Sequence, residues 1–294
     1  MELQQLRTFV AVAEDLHMGR AARRLHLAQP TLSRQIAALE RELGVELFSR
    51  AHRRFQLTSA GIAFLAEAHA ILERTDSAKQ HAQRAARGEI GVVRLGFVQS
   101  ATYDALPRLA KQFRAECPDV RLDARPMTTL EQLPALTNDE LDVGLLRPQQ
   151  PVPAADPHPG LRFRVLSRDS MVVALPTGHR LSRRRKLALT QLSGEPFILH
   201  GKEVGSTGFD LIVERCAHAG FTPDVIHHAH NTATIVALVG AGLGISILIG
   251  PPPPIDPALV VFRPLTDELP TWDLALVWSP DNPSTPLARF LAMD

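Results

Sequence analysis

The stretch from Arg20 to Gly44 constrains the fold of this 294-residue chain more than any other part of its sequence. Two short helical patterns follow each other there, and Leu27 in their tight connection is placed to plug the space between them. Pro30 falls in the first turn of the second pattern, where a missing N–H costs nothing. The pattern predicts a helix-turn-helix, with an ordinary amphipathic helical hairpin as the alternative. One face of the second helix is apolar at helical spacing, at Leu32, Ile36, Leu39 and Leu43.

The opposite face of that second helix carries short or forked hydrogen-bonding side chains near its amino terminus. Such side chains, at the start of a recognition helix, meet base edges in the major groove of DNA. The residues predicted to contact DNA from this helix are Gln29, Pro30, Thr31, Ser33, Arg34 and Gln35.

A basic hairpin is predicted directly after the helix-turn-helix. Leu47–Arg50 and Phe55–Leu57 are short strand-like runs, and Ala51–Arg54 connects them. A charged hairpin tip is often only solvated, but in this position it indicates the wing of a winged helix. Arginines on a wing lie along phosphates or enter the minor groove, so Arg50, Arg53 and Arg54 are predicted DNA contacts.

Residues 1–87 resemble the LysR-type transcriptional regulators. The opening MELQQLRTFVAVAED, the core AARRLHLAQPTLSRQIAALERELGVELFSR and the LTSAG turn into a long helix occur in the family's order and spacing. The remaining sequence resembles the family's effector domain. The resemblance implies an α/β fold class with a winged helix-turn-helix, a linker helix and a two-subdomain effector domain like a periplasmic binding protein. Ala28 departs from the serine or threonine frequent before the recognition helix, at a cost of about 1 kcal/mol in capping.

The charge distribution places the predicted DNA contacts in a basic head. Residues 1–88 carry 13 Lys and Arg against 9 Asp and Glu, whereas residues 89–294 carry 19 against 22. A basic head on a slightly acidic body is typical of a protein whose head alone touches nucleic acid.

Cysteine content and hydropathy favour a cytoplasmic protein. Cys117 and Cys216 are expected to be small buried hydrophobes, with a disulfide switch as the minor alternative, and a chain without a disulfide framework fits a reducing compartment. The charged amino terminus predicts no export signal. Residues 232–255 carry no charge, but four glycines and Pro251–Pro254 interrupt them, so a helix and a buried strand are expected rather than a membrane span.

A single long helix is predicted from Ser59 to Arg87, ended by Gly88 and followed by a short hinge to Gly91. Because a long isolated helix with an apolar stripe needs a partner, we expect dimerisation, with a plain surface helix as the alternative. Ile62, Leu65 and Leu72 are expected to pack on the winged helix. The stripe repeats at Phe64, Ala68, Ile71, Thr75, Ala78, Ala82 and Ala85. The predicted domains are therefore 1–58, 59–88 and 89–294.

The effector domain alternates strand-like and helix-like patterns, which predicts parallel βαβ units with right-handed crossovers. The resemblance implies two subdomains linked by two crossing segments. The first is expected over about 92–162 and 267–294, and the second over about 163–266. The predicted strands are Val92–Val98, Val120–Arg125, Leu141–Leu146, Leu161–Leu166, Ser170–Leu175, Phe197–His200, Val225–His228, Ile245–Ile249 and Trp272–Trp278.

A ligand site is predicted beyond the carboxyl ends of these strands. Hydroxyl groups and free N–H groups at helix starts favour a small organic anion, and Arg147 is placed to pair with a carboxylate. Helix capping is the competing role for each polar residue. The resemblance also puts Ser100, Thr102 and Thr128 in the effector cleft, and the LLRP stretch is similar to the subgroup that responds to aromatic acids and ring-cleavage products. The predicted effector contacts are Ser100, Thr102, Thr128, Arg147, His200, Gly201 and Asn231.

Two further clusters have less specific patterns. His227, His228 and His230 are of a metal-ligating type, but neighbouring strand residues point to opposite faces, which disfavours a metal site. Arg183–Lys186 is a run of four cations, for which a solvated loop is the favoured interpretation and an extra phosphate contact the alternative.

The sequence therefore predicts a transcriptional regulator, not an enzyme, that binds double-stranded DNA and a small-molecule effector, with no cofactor and no membrane. The resemblance implies a homodimer that assembles into a homotetramer, and RNA polymerase is a candidate partner. An enzyme with a DNA-binding head is the alternative, but no P-loop, nucleophile elbow or zincin motif is present. A transport-binding protein is disfavoured by the winged helix and the absence of an export signal.

Overall fold

The computed structural model describes residues 1–49, 55–148, 160–201, 206–267, 269 and 271–293. The chain divides into two compact units, Met1–Arg84 and Ala85–Asp294. The first unit contains the predicted head and most of the long helix, and the second contains the effector domain.

The head is a small helical unit with one hairpin. Its third helix has Pro30 in the first turn and ends at Gly44, which has a φ of +70° that favours glycine. The elements are α1 (Leu3–Asp15), α2 (Met18–Arg24), α3 (Gln29–Leu43), β1 (Phe48–Ser49), β2 (Gln56–Leu57) and α4 (Ser59–Ala86).

The core of the head forms where the apolar faces of these helices meet. Leu32, Ile36 and Leu39 of α3 are buried together with Leu6 and Phe9 of α1. This confirms the apolar face that the spacing of the α3 leucines predicted, because burial of such a face is what stabilises a short helix.

The hairpin strands predicted for the wing are present. Phe48 pairs with Leu57 in an antiparallel register, and the Phe48 ring stacks on Phe55 at a centroid distance of 4.8 Å. The Glu40 side chain joins the hairpin to α3, since Oε1 accepts hydrogen bonds from the N–H groups of Leu47 and Phe48 at 2.8 and 3.2 Å. The tip with Arg50, Arg53 and Arg54 lies outside the described residues.

The first half of α4 packs on the head, which corrects the predicted division of its faces. Ala68 is completely buried, and the Phe64 ring lies 5.1 Å from that of Phe9. Ile71 is partly buried against the same core. Of the three residues expected to pack there, Leu65 and Leu72 do so, whereas Ile62 is 62% exposed. The stripe residues that stay exposed are those of the second half, Ala78, Ala82 and Ala85. The partner of the first half of the stripe was mispredicted because a 3.5-residue stripe does not reveal which neighbour covers it.

The effector unit contains ten described strands. They are β3 (Gly91–Phe97), β4 (Val120–Pro126), β5 (Val143–Leu146), β6 (Arg162–Asp169), β7 (Met171–Pro176), β8 (Pro196–His200), β9 (Asp224–Ala229), β10 (Ser246–Ile249), β11 (Val260–Pro264) and β12 (Trp272–Trp278). Its helices are α5 (Ala105–Glu116), α6 (Thr129–Thr137), α7 (Ser206–His218), α8 (Thr232–Gly240) and α9 (Thr285–Leu291), with 3-10 helices at Gln99–Tyr103 and Leu189–Leu192.

The strands form two groups, as the resemblance implied. The first is a five-stranded sheet in the order β4-β3-β5-β12-β6. The second combines a three-stranded sheet, β10-β7-β11, with the pair β8-β9. Hydrogen bonds of 2.8 Å from Ile198 N–H to Ile245 O and from Ile245 N–H to Pro196 O join the pair to β10.

Both groups are mixed, and this corrects the expectation of wholly parallel sheets. β3, β4 and β5 are parallel, but β12 runs antiparallel to β5 and β6, and β7 runs antiparallel to β10 and β11. The reversal of β12 follows from its role as the strand that returns from the second group. The strand β11 was not predicted.

The first crossing lies later than predicted. β6 pairs with β12 along its whole length, so Arg162–Asp169 belongs to the first sheet rather than to the second subdomain. The chain passes to the second group at Ser170, between β6 and β7, and returns between Pro264 and Trp272.

A buried glutamine fills the space above two glycines of the first sheet. Gln132 on α6 is fully buried, and its Nε2 donates a 2.9 Å hydrogen bond to Met127 O. A β-carbon on Gly144 would come within 2.7 Å of Gln132 Oε1, and one on Gly96 would lie 3.0 Å from Gln132 Cγ and 2.7 Å from Leu141 Cδ1. The glycines therefore let α6 lie close to β3 and β5.

Both cysteines are free and buried, as predicted, and they belong to separate cores. Burial raises the pKa of the Cys216 thiol to about 11, which keeps it protonated at neutral pH. Among the helices that the structure describes, none has the length and apolar character needed to cross a bilayer.

Candidate DNA interface and effector cleft

The start of α3 presents the predicted DNA-contacting face to solvent. Gln29, Pro30, Ser33 and Arg34 are exposed, and Thr31 is half-buried. Arg34 Nη2 lies 3.4 Å from Thr31 Oγ1. The guanidinium therefore keeps nearly all of its donor capacity for an outside partner.

Gln35 differs from the rest of this face. Its side chain is half-buried, and Oε1 accepts a hydrogen bond from Thr8 Oγ1 of α1. One of its polar groups is thereby used within the head, which leaves the amide nitrogen as its available donor.

The two helices of the motif begin differently. The Nδ1 atom of His17 accepts hydrogen bonds from the N–H groups of Gly19 and Arg20 at 3.1 and 3.2 Å, so α2 has a side-chain cap. Ala28 precedes α3 and provides no such cap, as expected. The fold of the head, not local capping, holds the start of α3.

In the effector unit, two adjoining cavities of about 280 and 160 Å³ lie beside the carboxyl ends of β3, β5 and β10. Val98, Gln99, Arg147, Gly208 and Ile249 line both cavities, so they form one cleft with two lobes. The position agrees with the carboxyl-end rule for open α/β sheets.

Arg147 forms the floor of the cleft and is already engaged. Its Nε donates to Ser100 Oγ at 2.8 Å, its Nη1 donates to Trp272 O at 3.2 Å, and its Nη2 forms a salt bridge with Asp169. Burial lowers the pKa of Arg147, and Asp169 opposes that effect. An arginine remains protonated in proteins, so the cleft floor carries a buried ion pair rather than the free cation that the sequence suggested.

The larger lobe is bounded by the start of α6. Thr128 caps this helix: its Oγ1 accepts from Glu131 N–H at 3.3 Å, and Glu131 Oε2 accepts from Thr128 N–H at 2.7 Å. Thr129 Oγ1 donates to Arg147 O at 3.1 Å. Thr128 is therefore both a helix cap and a lining residue, which combines the two roles that the sequence left open.

The smaller lobe is lined by aromatic and aliphatic side chains together with His200. The His200 Nε2 atom lies 3.4 Å from Thr232 Oγ1. Burial lowers the pKa of His200, which keeps the ring neutral at neutral pH. The other residues that line only this lobe are Ser100, Tyr103, Phe209, Ile212, Thr232, Ile247, Leu248 and Pro251.

Three predicted effector contacts do not line either lobe. Asn231 caps α8, with Oδ1 accepting from Thr234 N–H at 2.8 Å. The N–H of Gly201 donates to Ala229 O at 3.2 Å. Thr102 Oγ1 is buried and has no hydrogen-bond partner among the described residues.

Several lining residues were not among the predicted effector contacts, although Gln99 and Thr129 belong to polar segments that the carboxyl-end rule places at the site. Gln99 and Tyr103 flank Ser100 in the 3-10 helix, and Met127 and Thr129 flank Thr128. Because these residues neighbour predicted contacts in the sequence, they could have been included in the prediction. Trp272 begins a strand whose direction was not predicted, so nothing in the sequence indicated that it lines the cleft.

The cleft combines a polar end with an apolar end. Hydroxyl groups, a helix start and a guanidinium surround the larger lobe, whereas Tyr103, Phe209 and Ile212 bound the smaller lobe. Such a site binds and orients a small molecule. Within the described residues, which include the His227–His230 segment, no group of three His, Cys, Asp or Glu side chains is placed to hold a metal ion.

Known protein families match both units of the chain. Residues 3–62 match the family described as bacterial regulatory helix-turn-helix protein, lysR family, and residues 86–293 match the LysR substrate binding domain. The uncharacterized HTH-type transcriptional regulator YnfL of Escherichia coli K12 is 37% identical over 290 residues, which cover 98% of this chain and 96% of that protein. The Hca operon transcriptional activator HcaR of the same strain is 34% identical over 293 residues, covering 100% and 97%.

Solved structures of full-length regulators have the same fold. The crystal structure of CbnR, a LysR family transcriptional regulator, has a TM-score of 0.81 and 29% identity, and the match covers 99% of each chain. CbnR in complex with its target DNA has a TM-score of 0.80 and 28% identity, and the match covers 99% of this chain and 97% of that one. The chain belongs to the LysR family of DNA-binding transcriptional regulators, with a helix-turn-helix head and a substrate-binding domain.

Proposed function

We propose that the cleft binds a small organic anion and that its occupancy controls transcription. Arg147 is the main support for this proposal. Three of its five N–H groups donate to one hydroxyl, one carbonyl and one carboxylate on the cleft floor, which leaves two donors for a ligand. A ligand carboxylate that reaches this cation gains charge-assisted hydrogen bonds in surroundings with little water.

The two lobes favour an elongated ligand. A carboxylate fits the larger lobe, where the Thr128 hydroxyl and the first N–H groups of α6 offer hydrogen-bond donors. An apolar or aromatic body fits the smaller lobe beside Tyr103 and Phe209. An aromatic acid or a ring-cleavage product has this chemistry.

The position of Arg147 supports a route from ligand to conformation. Asp169 directly precedes the first crossing segment, and Trp272 directly follows the second. A ligand that takes over the hydrogen bond of Arg147 to Asp169 or to Trp272 changes a contact to one of these strands. Such a ligand shifts the angle between the subdomains only if it binds the two conformations with different affinity.

We propose the DNA contacts from the exposure of the side chains at the start of α3 and from the DNA-binding activity of the family. The residues proposed to meet the major groove are Gln29, Pro30, Thr31, Ser33, Arg34 and the amide of Gln35. Arg50, Arg53 and Arg54 are proposed from the sequence alone.

We also propose the division into domains 1–58, 59–88 and 89–294. The chain is further proposed to form a homodimer that assembles into a tetramer, to contact RNA polymerase, to be located in the cytoplasm and to have no enzymatic activity. The exposed stripe of Ala78, Ala82 and Ala85 supports the helix pairing.

A matched pair of Thr128 variants tests the ligand proposal. Thr128→Val keeps the shape and removes the hydroxyl, whereas Thr128→Ser keeps the hydroxyl. Calorimetry of the full-length protein against a panel of benzoate, substituted benzoates and C4–C6 dicarboxylates identifies an acid that binds. We expect Thr128→Val to weaken that binding roughly tenfold, as loss of a hydrogen bond to a charged group does, and Thr128→Ser to retain it.

Thermal unfolding of both variants serves as the control. Thr128→Val also removes the cap of α6, which destabilises the helix by about 1 kcal/mol whether or not a ligand is bound. Equal affinity of the two folded variants for the acid would contradict the role of Thr128. Tight binding of only neutral or cationic compounds would contradict the anion.

A further inference from the structure

The run Arg183–Lys186 forms an exposed basic turn that belongs neither to the DNA-binding head nor to the lining of the cleft. All four side chains are exposed, and they follow Ser182 in a turn between β7 and the second 3-10 helix. The turn belongs to a domain with 19 Lys and Arg against 22 Asp and Glu over residues 89–294. The cations are therefore concentrated on a body whose net charge is negative.

The fold holds this turn from both sides. Leu181 and Leu187, which precede and follow the turn, are buried in the core of the second group of strands. The Leu187 N–H donates to Pro264 O at 3.0 Å, and Thr266 N–H donates to Leu187 O at 2.8 Å. Ser182 Oγ donates to Thr177 O at 2.7 Å. The four cations are thus presented on a fixed backbone rather than on a free loop.

The charges around the turn are not balanced by nearby carboxylates. Arg263 adds a fifth cation directly beneath it, because its Nε and Nη2 donate to Ser182 O at 3.1 and 2.7 Å. Of the acidic groups close by, Glu195 is engaged with His179 and Arg180, and Asp267 accepts from Leu189 N–H at 2.8 Å. In the described part of the chain, none of the residues 183–186 forms an ion pair.

The composition of this surface indicates what it contacts. A stable protein interface has an apolar or aromatic centre, but each exposed position of the turn is Arg or Lys and the adjoining leucines are buried. Contacts to a nucleic-acid backbone, by contrast, depend mainly on the positive charge of Arg and Lys and need no apolar centre. Like charges held side by side repel each other, and a row of phosphates relieves that repulsion.

We propose that Arg183–Lys186 is a second, sequence-independent DNA contact that binds the phosphodiester backbone. The effector domain then adds to the affinity for DNA without adding to base recognition. This inference rests on the DNA-binding activity of the family and is independent of the ligand proposed for the cleft.

The salt dependence of DNA binding tests the proposal, because each phosphate contact contributes about 0.9 to the slope of log K against log salt. The probe is a fluorescent duplex of about 60 bp with random sequence, titrated by anisotropy with the full-length protein over a range of KCl concentrations. The variant combines Arg183→Gln, Arg184→Gln, Arg185→Gln and Lys186→Gln. We expect the salt dependence of this variant to be shallower, with a slope smaller in magnitude than that of the wild type by about 2 to 4.

The control removes the same charge from exposed cations elsewhere in the unit. It combines Lys111→Gln, Arg114→Gln, Arg121→Gln and Arg162→Gln, and we expect its slope to match the wild type. Sedimentation and thermal unfolding of both variants verify that assembly and fold are retained. Equal slopes for the two variants overturn the proposal. So does a turn variant that keeps its DNA slope but loses binding to polyglutamate, which would identify an acidic protein as the partner.

Discussion

Gly250 lies against the Arg147 guanidinium, since a β-carbon at residue 250 would come within 2.7 Å of Nη2 and 3.4 Å of Asp169 Oδ2. Its φ of +98° also favours glycine, and its N–H donates to Ser170 O at 3.3 Å. The strand end of the second group therefore abuts the ion pair of the first sheet at the point where the chain crosses over.

Gly250→Ala is expected to displace the Arg147 side chain and to break its salt bridge with Asp169. Together with backbone strain, this should lower the free energy of unfolding by about 2–4 kcal/mol, measured by urea denaturation. Gly220→Ala is the matched control, because Gly220 has a φ of +88° and nothing within 4 Å of an added β-carbon. Equal losses for the two variants would show that the contact with Arg147 contributes nothing.

Asp142 gives the effector unit a defined dependence on pH. Its carboxylate is 5% exposed and accepts hydrogen bonds from Arg94 N, Nε and Nη2 and from Asn282 Nδ2. Burial raises the pKa of Asp142, but the hydrogen bonds from Arg94 and Asn282 outweigh that effect, so the pKa lies below its ordinary value. A carboxyl of this kind stabilises the fold above its unfolded pKa of about 4 and loses that contribution as the pH falls through the lower folded pKa.

Asp142→Asn should therefore lower the free energy of unfolding by roughly 2 kcal/mol or more at pH 7, and the difference from wild type should shrink as the pH falls below about 4. Chemical denaturation at a series of pH values measures this. The exposed Asp104, which pairs with Arg108 on α5, provides the control variant Asp104→Asn. A difference at Asp142 that stays constant with pH would contradict the linkage.

The second half of α4 is expected to pair with another copy of the chain. Ala78→Asp places a charge in the exposed stripe, so sedimentation velocity should show a loss of assembly at concentrations where the wild type is oligomeric. Gln80→Asp introduces the same charge on another side of the helix and should leave assembly intact. Ile71 is unsuitable for this test, because it packs on the head. Identical assembly of all three proteins would place the interface elsewhere.

Arg34 is expected to read a base. In a selection from random duplexes, Arg34→Ala should lose preference at one base-pair position, a cost of about 1–3 kcal/mol, and should keep its affinity for non-specific DNA. Arg53→Ala should instead weaken binding to all duplexes about equally and flatten its salt dependence. If both variants lose specific and random DNA in the same ratio, the two residues do not have separate roles.

The pattern of apolar residues was sufficient to predict the helices of the head and most strands of the effector unit, because periodicity reports which face is buried. It does not report strand direction, and for that reason the antiparallel β12 and the membership of β6 were missed. Within α4, periodicity identified Phe64, Ala68 and Ile71 as residues of one apolar face, but the head itself covers them rather than another helix.

For the cleft, the carboxyl-end rule located Ser100, Thr128, Arg147 and His200. It did not distinguish them from Thr102, Gly201 and Asn231, which follow the same or adjacent strands. The difference depends on the direction of each side chain, since Asn231 turns back to cap its own helix and Thr128 caps while still facing the cleft. Side-chain direction in a loop follows from local hydrogen bonds that no spacing reveals.

The packing of Gln132 over Gly96 and Gly144 makes the order of substitutions at these positions matter. Replacing Gln132 by alanine first empties the space above the sheet, and a later Gly144→Ala then meets less resistance. In the reverse order, the new methyl group collides with Oε1, so the intermediate is overpacked. Gln132 and Gly144 therefore act as an epistatic pair, and a chain that diverges from this one passes more easily through residue 132 than through residue 144. At Gly96 the nearest atom is Leu141 Cδ1, so loss of Gln132 alone does not make room there.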